Sequence, residues 1–291
     1  MQSRKKILFI INPISGVSRK FQLPLLIESH LNHDLFDSRV EYTKRAHHAT
    51  ELSKQAADEG YYAVAAVGGD GTVNEVSRGL IGSQTALIIV PVGSGNGAAR
   101  HLNIPLRPKK AIKLINTAKK RVIDTALINE LTFINMAGIG FDARVGWLFS
   151  KSKIRGLWPY LKIGFREFFQ YNEEEYDIRV DGQEIKSKAL LVSVANSAQY
   201  GFNAIIAPEA VMDDNFLNLC ILRKPGIIKG LNVLVRLFSG TINKSDLYKS
   251  IKGKEINIRH NGQLAHIDGE PIELNNELNI KIQPESLYVI C

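Results

Sequence analysis

Hydrophobic and polar positions follow two textures along the 291 residues of the chain. In the first 127 residues, apolar runs at 6–11, 39–42, 62–67 and 86–90 alternate with stretches of helical period at about 18–31, 48–59 and 98–102. That order predicts βα units and a mostly parallel, doubly wound sheet covered on both faces. After Lys119 the alternation gives way to strand following strand, at 122–128, 131–135, 176–180, 185–195, 217–222, 255–259 and 264–267. Helical stretches at 157–169 and 227–238 interrupt them. The expectation is an α/β domain over 1–128 and a β-rich domain over 129–282. The chain shows no internal repeat or low-complexity linker.

Three of the apolar runs in the first domain end in turns with candidate chemistry. The run 62–67 leads into Gly68-Gly69-Asp70-Gly71-Thr72-Val73-Asn74-Glu75-Val76, and the run 86–90 into Pro91-Val92-Gly93-Ser94-Gly95-Asn96-Gly97. The first run ends in Asn12-Pro13-Ile14-Ser15-Gly16, with Lys20 shortly beyond. Glycines after a strand let backbone N–H groups approach a polyphosphate, and the helix that follows adds partial positive charge at its N-terminus. In a parallel sheet such loops gather at one edge, where ligands bind. A tight strand-to-helix turn capped by Asp70 or Thr72 explains GGDGT equally well on local grounds. The pattern is neither a Walker A sequence nor a GxGxxG fingerprint.

Composition narrows the partners. The formal net charge is +8 and the pI near 9.3, which suits anionic partners: a nucleotide, an anionic membrane surface or nucleic acid. Zinc-finger spacing, RNP-like aromatic motifs and long basic runs are all missing from the sequence, so no nucleic-acid partner is expected. Two cysteines, Cys220 and Cys291, make no disulfide framework and agree with a reducing, cytoplasmic setting. The N-terminal apolar stretch 7–11 is too short for a signal sequence. No segment reaches the roughly 18 apolar residues of a spanning helix, so membrane contact is expected to be peripheral.

Taken in order, NPISG, GGDGTVNEV, PVGSGNGAAR and the late Asp268-Gly269-Glu270 resemble the motifs of diacylglycerol kinase catalytic domains, the soluble bacterial lipid kinases and sphingosine kinases. The likeness spans nearly the whole chain. It implies a β-sandwich second domain, a C-terminal segment 283–291 that returns to the first domain, and an active site in the cleft between domains. It implies an ATP- and Mg²⁺-dependent transfer to the hydroxyl of a membrane lipid. Asp268 would be the general base, Glu270 part of the Mg²⁺ and nucleotide network, and Asp70 a competitor for both roles. Locally, Asp268-Gly269-Glu270-Pro271 also reads as a plain β-turn.

The same resemblance assigns phosphate contacts to Asn12, Ser15 and Gly16, and the nucleotide pocket to Gly68, Gly69, Gly71, Thr72, Gly93, Ser94 and Asn96. Thr43 and Glu75 would approach the nucleoside end, although Glu75 equally suits a helix N-terminal turn. Asp213-Asp214-Asn215 is similar to an acidic turn that holds a structural Mg²⁺ in some bacterial members, with Asp214 as the ligand. Asn215 stands where the family usually has Gly, and a plain β-turn is the alternative. Gly140-Phe141-Asp142-Ala143 is similar to a segment near the acceptor site, which makes Asp142 a candidate for binding the lipid head group, or else a helix cap or first-turn acid. Gly97 after Ser94-Gly95-Asn96 is closer to the sphingosine-kinase form than to the bacterial diacylglycerol-kinase form, so the acceptor stays open. The alternatives are a soluble acceptor such as NAD, or a nucleotide-binding regulator without catalysis. A homodimer stands as one option for self-association.

The stretch 147–171 mixes both tryptophans and several other aromatics with Lys151, Lys153, Arg155, Lys162 and Arg166, against a single acid, Glu167. Such mixing suits an element lying at a membrane interface. A helical cap over the β domain, with its apolar side in the core, is the alternative.

Overall fold

The computed structural model describes residues 3–14, 22–152 and 156–291. The chain divides into two compact units, Met1–Ile123 with Glu285–Cys291, and Asp124–Pro284.

The first unit runs β1 (Lys5–Ile11), α1 (Leu23–His30), β2 (Phe36–Tyr42), α2 (His48–Asp58), β3 (Ala63–Gly68), α3 (Asp70–Leu80), β4 (Ala86–Pro91), α4 (Gly97–His101) and α5 (Pro108–Ile115). Strands pair in parallel in the order β2-β1-β3-β4. β3 and β4 are buried at every position because helices cover both faces of the sheet. Ile7, Phe9 and Ile11 of β1 pack with Leu23 and Ile27 of α1 and Ile112 of α5. Alternate positions point to the opposite face. α2, which buries Ala49, Ser53 and Ala56 at helical spacing, packs beside α3. The short apolar run 39–42 is the end of a longer strand, since β2 starts at Phe36. Residues 18–21 of the helix expected over 18–31 lie outside the described residues, and α1 runs from Leu23.

The second unit contains β5 (Lys120–Ile128, from its fifth residue), β6 (Leu131–Phe133), β7 (Met136–Gly140), α6 (Phe141–Ser150), α7 (Leu157–Gln170), β8 (Glu174–Val180), β9 (Gln183–Ala189), β10 (Leu191–Ala195), β11 (Leu217–Leu222), α8 (Ile227–Ser239), β12 (Tyr248–Gly253), β13 (Glu255–Arg259), β14 (Leu264–Ile267), β15 (Glu270–Glu273) and most of β16 (Glu277–Ile290). One antiparallel sheet has the order β12-β11-β10-β7-β14-β15, and β16-β13-β8-β9 form the second. Strict alternation in β8 and β13 turns Tyr176, Ile178, Ile256 and Ile258 inward, where they meet Ile139, Val192, Val194, Leu219 and Ile267 of the six-stranded sheet. That is a β-sandwich. β7, β10 and β11 are buried throughout because a second apolar cluster, including Ile206, Val233 and Ile242, covers their other face. The last residues of β16 belong to the first unit and pair in parallel with β4, Val289 opposite Leu87.

The run 185–195, read as one strand, is two. β9 pairs with β8 in one sheet and β10 with β7 and β11 in the other, the chain changing sheets at Leu190. The reason is visible in the residues: Ile185 to Ala189 alternates less and more exposed positions at a sheet edge, with Lys186 and Lys188 outward, whereas Leu191 to Ala195 is buried on both faces. Among the described residues no helix is long and apolar enough to cross a membrane.

Candidate active site

In the first unit the three glycine-bearing strand ends are in contact. The N–H groups of Val92 and Gly93 both donate to the Gly68 carbonyl, at 2.9 and 3.2 Å. A Cβ on Gly93 would lie 2.5 Å from the Gly69 Cα, and one on Gly68 would lie 2.3 Å from Thr72 Cβ, so the two turns close on each other only as glycines. Asn12, just past β1, donates from Nδ2 to Thr72 Oγ1 at 3.1 Å and accepts the Ile14 N–H on Oδ1 at 2.9 Å. The Thr43 N–H, just past β2, donates to the Ile11 carbonyl at the same sheet edge. The 91–97 loop is held from within: Asn96, at φ 52°, donates from Nδ2 to the Gly93 carbonyl (2.7 Å), and Arg100 Nε donates to the Gly95 carbonyl (3.0 Å). Ser94 lies in this loop, between β4 and α4.

Asp70 is the first residue of the eleven-residue α3, with Gly71 and Thr72 in the same turn. Backbone amides at that helix start favour negative charge, whether the Asp70 carboxylate or a phosphate. Glu75 Oε2 accepts the Ala49 N–H (3.2 Å) in the first turn of α2, and its carbonyl accepts the Thr50 hydroxyl. It joins α2 to α3, the helix-turn alternative at a neighbouring helix. Ser15, Gly16 and Lys20 lie outside the described residues. The side-chain-free approach at Gly68, Gly69 and Gly93, beside the α3 N-terminus, fits the phosphates of a nucleotide.

The carboxylates of the second unit are engaged by the protein itself. Asp268 and Gly269, at φ 50° and 85°, form the two-residue turn of the β14–β15 hairpin, in which Ile267 faces Glu270. Positive φ at both positions is the type I′ turn that favours Asp-Gly. The buried Asp268 carboxylate also accepts three successive backbone N–H groups: Ile134 on Oδ2 (3.0 Å), Asn135 on Oδ1 (2.8 Å) and Met136 on Oδ1 (3.0 Å). Successive amides of this kind make an anion nest. Asp268 therefore ties the hairpin to the β6–β7 link. Glu270, two residues on, is exposed at the start of β15.

Asp142, in the first turn of α6, is buried. Its Oδ1 accepts the Ala143 N–H (2.8 Å) as a first-turn acid, α6 being capped at Gly140. Its Oδ2 accepts the hydroxyls of Ser193 (2.8 Å) and Tyr200 (2.9 Å) and lies 3.1 Å from His266 Nε2. Burial pushes the Tyr200 and Tyr160 hydroxyls well above their ordinary pKa, and the nearby Asp142 charge adds to the shift. Ser193, Tyr200 and His266 were not singled out by sequence reasoning, because they come from separate strands and loops. One local sign existed, a serine inside the apolar run 191–195.

In the acidic turn before β11, Asp213 is exposed and Asp214 is half-buried. Asp214 accepts the Phe216 N–H on Oδ1 (3.0 Å), and the Lys252 ammonium donates to its Oδ2 (2.6 Å). Asn215 does take the left-handed conformation, at φ 63°, and its N–H donates to Asp124 Oδ2. Among the described residues there is no group of three or more His, Cys, Asp or Glu side chains set to hold a metal ion.

Beside α6 and α7 the second unit has a cavity of about 380 Å³ that includes Arg144, Glu167, Tyr171, Glu174 and His260 in its lining. Arg144 Nε pairs with Glu167 Oε2 at 3.2 Å, and the Tyr171 hydroxyl donates to Glu174. His260 Nδ1 accepts the Gly262 N–H (3.1 Å), which puts the proton of the neutral ring on Nε2, and burial lowers its pKa from the usual value. None of these groups was legible as a site, since their spacing spans three elements and a loop.

Two family models match, the diacylglycerol kinase catalytic domain over residues 6–128 and the YegS C-terminal NAD kinase beta sandwich-like domain over residues 135–291. A Pseudomonas putida protein named "Probable lipid kinase YegS-like" is 30% identical over 258 residues, covering 86% of this chain and 84% of its own length. The Synechocystis protein named "Uncharacterized protein sll0036" is 26% identical over 97% of this chain and 69% of its own. A crystal structure titled as a diacylglycerol kinase from Bacillus anthracis matches with a TM-score of 0.74 at 24% identity, over 98% of this chain and 96% of that one, and shows the same fold. The chain therefore belongs to the diacylglycerol kinase catalytic-domain family, in the YegS-like form with a β-sandwich second domain, a family of kinases.

Proposed function

We propose that the protein transfers the γ-phosphoryl group of ATP, as its Mg²⁺ complex, to a hydroxyl of a membrane lipid of the diacylglycerol or sphingoid class. The observation that carries the donor half is the mutual closure of the Gly68-Gly69 and Gly93 turns at the α3 N-terminus. Phosphoryl transfer is mostly positioning and charge stabilisation, which backbone amides at fixed places supply. Mg²⁺ arriving with the nucleotide would take water, phosphate oxygens and a carboxylate, for which Asp70 is the candidate. In the transfer, the lipid hydroxyl oxygen bonds to the γ-phosphorus, the bond to ADP breaks, and the hydroxyl proton passes to a carboxylate. Asp70 and Asp268 compete for that proton. The three N–H donors on Asp268 fix its position, which supports a positioning role for Asp268. The acceptor class rests on the named relatives, of which one is a lipid kinase by name.

The test is incubation of the purified protein with Mg²⁺ and γ-labelled ATP on mixed vesicles holding diacylglycerol, monoacylglycerol, sphingosine and ceramide. Label in one lipid in the organic phase establishes the reaction and its acceptor. Label on NAD or another soluble acceptor, with none in lipid, replaces the acceptor. Nucleotide binding with no transfer to any acceptor makes the protein a regulatory nucleotide binder.

A further inference from the structure

The cavity of about 380 Å³ in the second unit takes part in no step of the transfer described above. It lies where α6, α7, the first residue of β8 and the β13–β14 link meet, all within that unit. Its volume falls in the range of small-molecule sites, roughly 300–1,000 Å³. Among the described residues of its lining, only Leu264 has an aliphatic side chain, so a hydrocarbon chain finds little to pack against.

Two polar groups in it lack a matching partner. Arg144 and Glu167 neutralise each other, whereas Glu174 has phenols alone: the Tyr171 hydroxyl donates to Oε1, and the Tyr176 hydroxyl to Oε2 at 3.5 Å. Burial pushes both phenols well above their ordinary pKa, with Glu174 adding to the shift, so they stay protonated donors. Among the described residues no lysine or arginine pairs with Glu174. Two carboxylates against one guanidinium and a neutral imidazole leave one negative charge over, and a partly buried charge favours an opposite one beside it. The second group is His260, 4% exposed, whose Nε2–H has no acceptor. A buried donor left without an acceptor is costly. Gly262 keeps the space between the two clear, since a Cβ there would lie 3.0 Å from His260 Nδ1 and 3.4 Å from Glu174 Oε2.

We propose that this cavity binds a water-soluble amine bearing hydroxyl groups, of the amino-sugar or amino-alcohol class. Its ammonium donates to Glu174, one hydroxyl oxygen accepts the His260 Nε2–H, and further hydroxyls meet the amides of Gln170 and Gln263, both exposed residues of the lining. The surplus negative charge repels phosphate, so neither a nucleotide nor a phospholipid head group suits the site. A lone metal ion would leave most of the volume unfilled and the imidazole N–H without an acceptor. The site binds or fails to bind in the absence of nucleotide, so its test is separate from that of phosphoryl transfer.

The experiment is calorimetric titration of the full chain, without nucleotide, with glucosamine, ethanolamine, glucose and inorganic phosphate. At least one of the two amines binds with a Kd below about 1 mM, glucose binds at least about tenfold more weakly than glucosamine, and phosphate gives no heat. Glu174→Gln lowers amine affinity by about tenfold or more and leaves glucose as it was. Gln263→Trp, which fills the cavity from an exposed position, removes amine binding and keeps the test open if Glu174→Gln melts early. In heteronuclear NMR of the imidazole nitrogens, the His260 Nε2 resonance moves with the binding amine and stays in place with phosphate. Equal affinity for glucosamine and glucose overturns the proposal, as does phosphate binding more tightly than either amine. So does amine binding that both variants leave at the wild-type level, or the absence of heat from both amines up to about 50 mM.

Discussion

The two units treat negative charge in opposite ways. In the first, glycines stand where the strand ends meet: Gly68, Gly69 and Gly93 bring bare backbone to the start of α3. In the second, each buried carboxylate already has its donors, three amides on Asp268 and a serine, a tyrosine and a histidine on one oxygen of Asp142. An anion from outside suits the first arrangement, and the second uses its anions to hold strands together. Carboxylates that look alike in a sequence can thus differ in kind, one set by what it can receive and the other by what it already binds.

The largest effect expected from breaking this contrast is at Gly93. Gly93→Ala places a methyl group 2.5 Å from the Gly69 Cα, backbone that cannot rotate away. The loops must separate, at a cost of about 1–3 kcal/mol, and a displacement of the phosphate cradle by an ångström lowers transfer by about 100-fold. Calorimetric titration with Mg-ATP and thermal unfolding check both halves. Nucleotide affinity equal to wild type would show that the closure of the turns is unrelated to the donor.

A paired substitution sharpens the contrast between the carboxylates. Asp268→Asn puts an amide against the three N–H donors of residues 134–136, and an NH₂ facing N–H cannot accept. Stability falls by about 2 kcal/mol, read as an earlier urea midpoint. Asp70→Asn, at a partly exposed helix start, shifts stability by less than about 0.5 kcal/mol but abolishes transfer. Single-turnover transfer with intact Mg-ATP binding then separates base from positioning residue. Equal melting of the two variants would undo the distinction drawn between the units.

What could be read from the sequence follows from how local each feature is. The glycine turns were legible because a strand, a glycine pair and a helix start are neighbours in the chain, and only their mutual closure needed the fold. The β14–β15 turn was also legible, since Asp-Gly is a local signal. The partners of Asp268, more than 130 residues away, were not. Nor was the division of residues 185–195 between two sheets, because burial on one face or both is decided by strands brought in from elsewhere. The ion pair of Asp214 with Lys252, 38 residues away, was likewise not legible.

The smallest effect expected concerns His260, a group of the second unit that binds no anion. Its Nδ1 is occupied by the Gly262 N–H, its buried Nε2 lacks a hydrogen-bond partner, and burial lowers its pKa although Glu174 opposes the shift. The unfolded chain, with an ordinary histidine near 6.5, then binds more protons than the folded chain at pH values below about 6.5. Stability from this residue is complete above that value and declines as the pH falls through it toward the lower folded pKa. Urea unfolding at about pH 7.5 and pH 5.5, where the ordinary carboxylates stay ionised, should show a loss of roughly 1 kcal/mol or less. His260→Asn, which keeps an acceptor for Gly262 and cannot titrate, should flatten that part of the profile. A profile that keeps its slope in the variant would place the proton uptake at another histidine, and would leave the neutral ring of His260 as packing against Tyr176 alone.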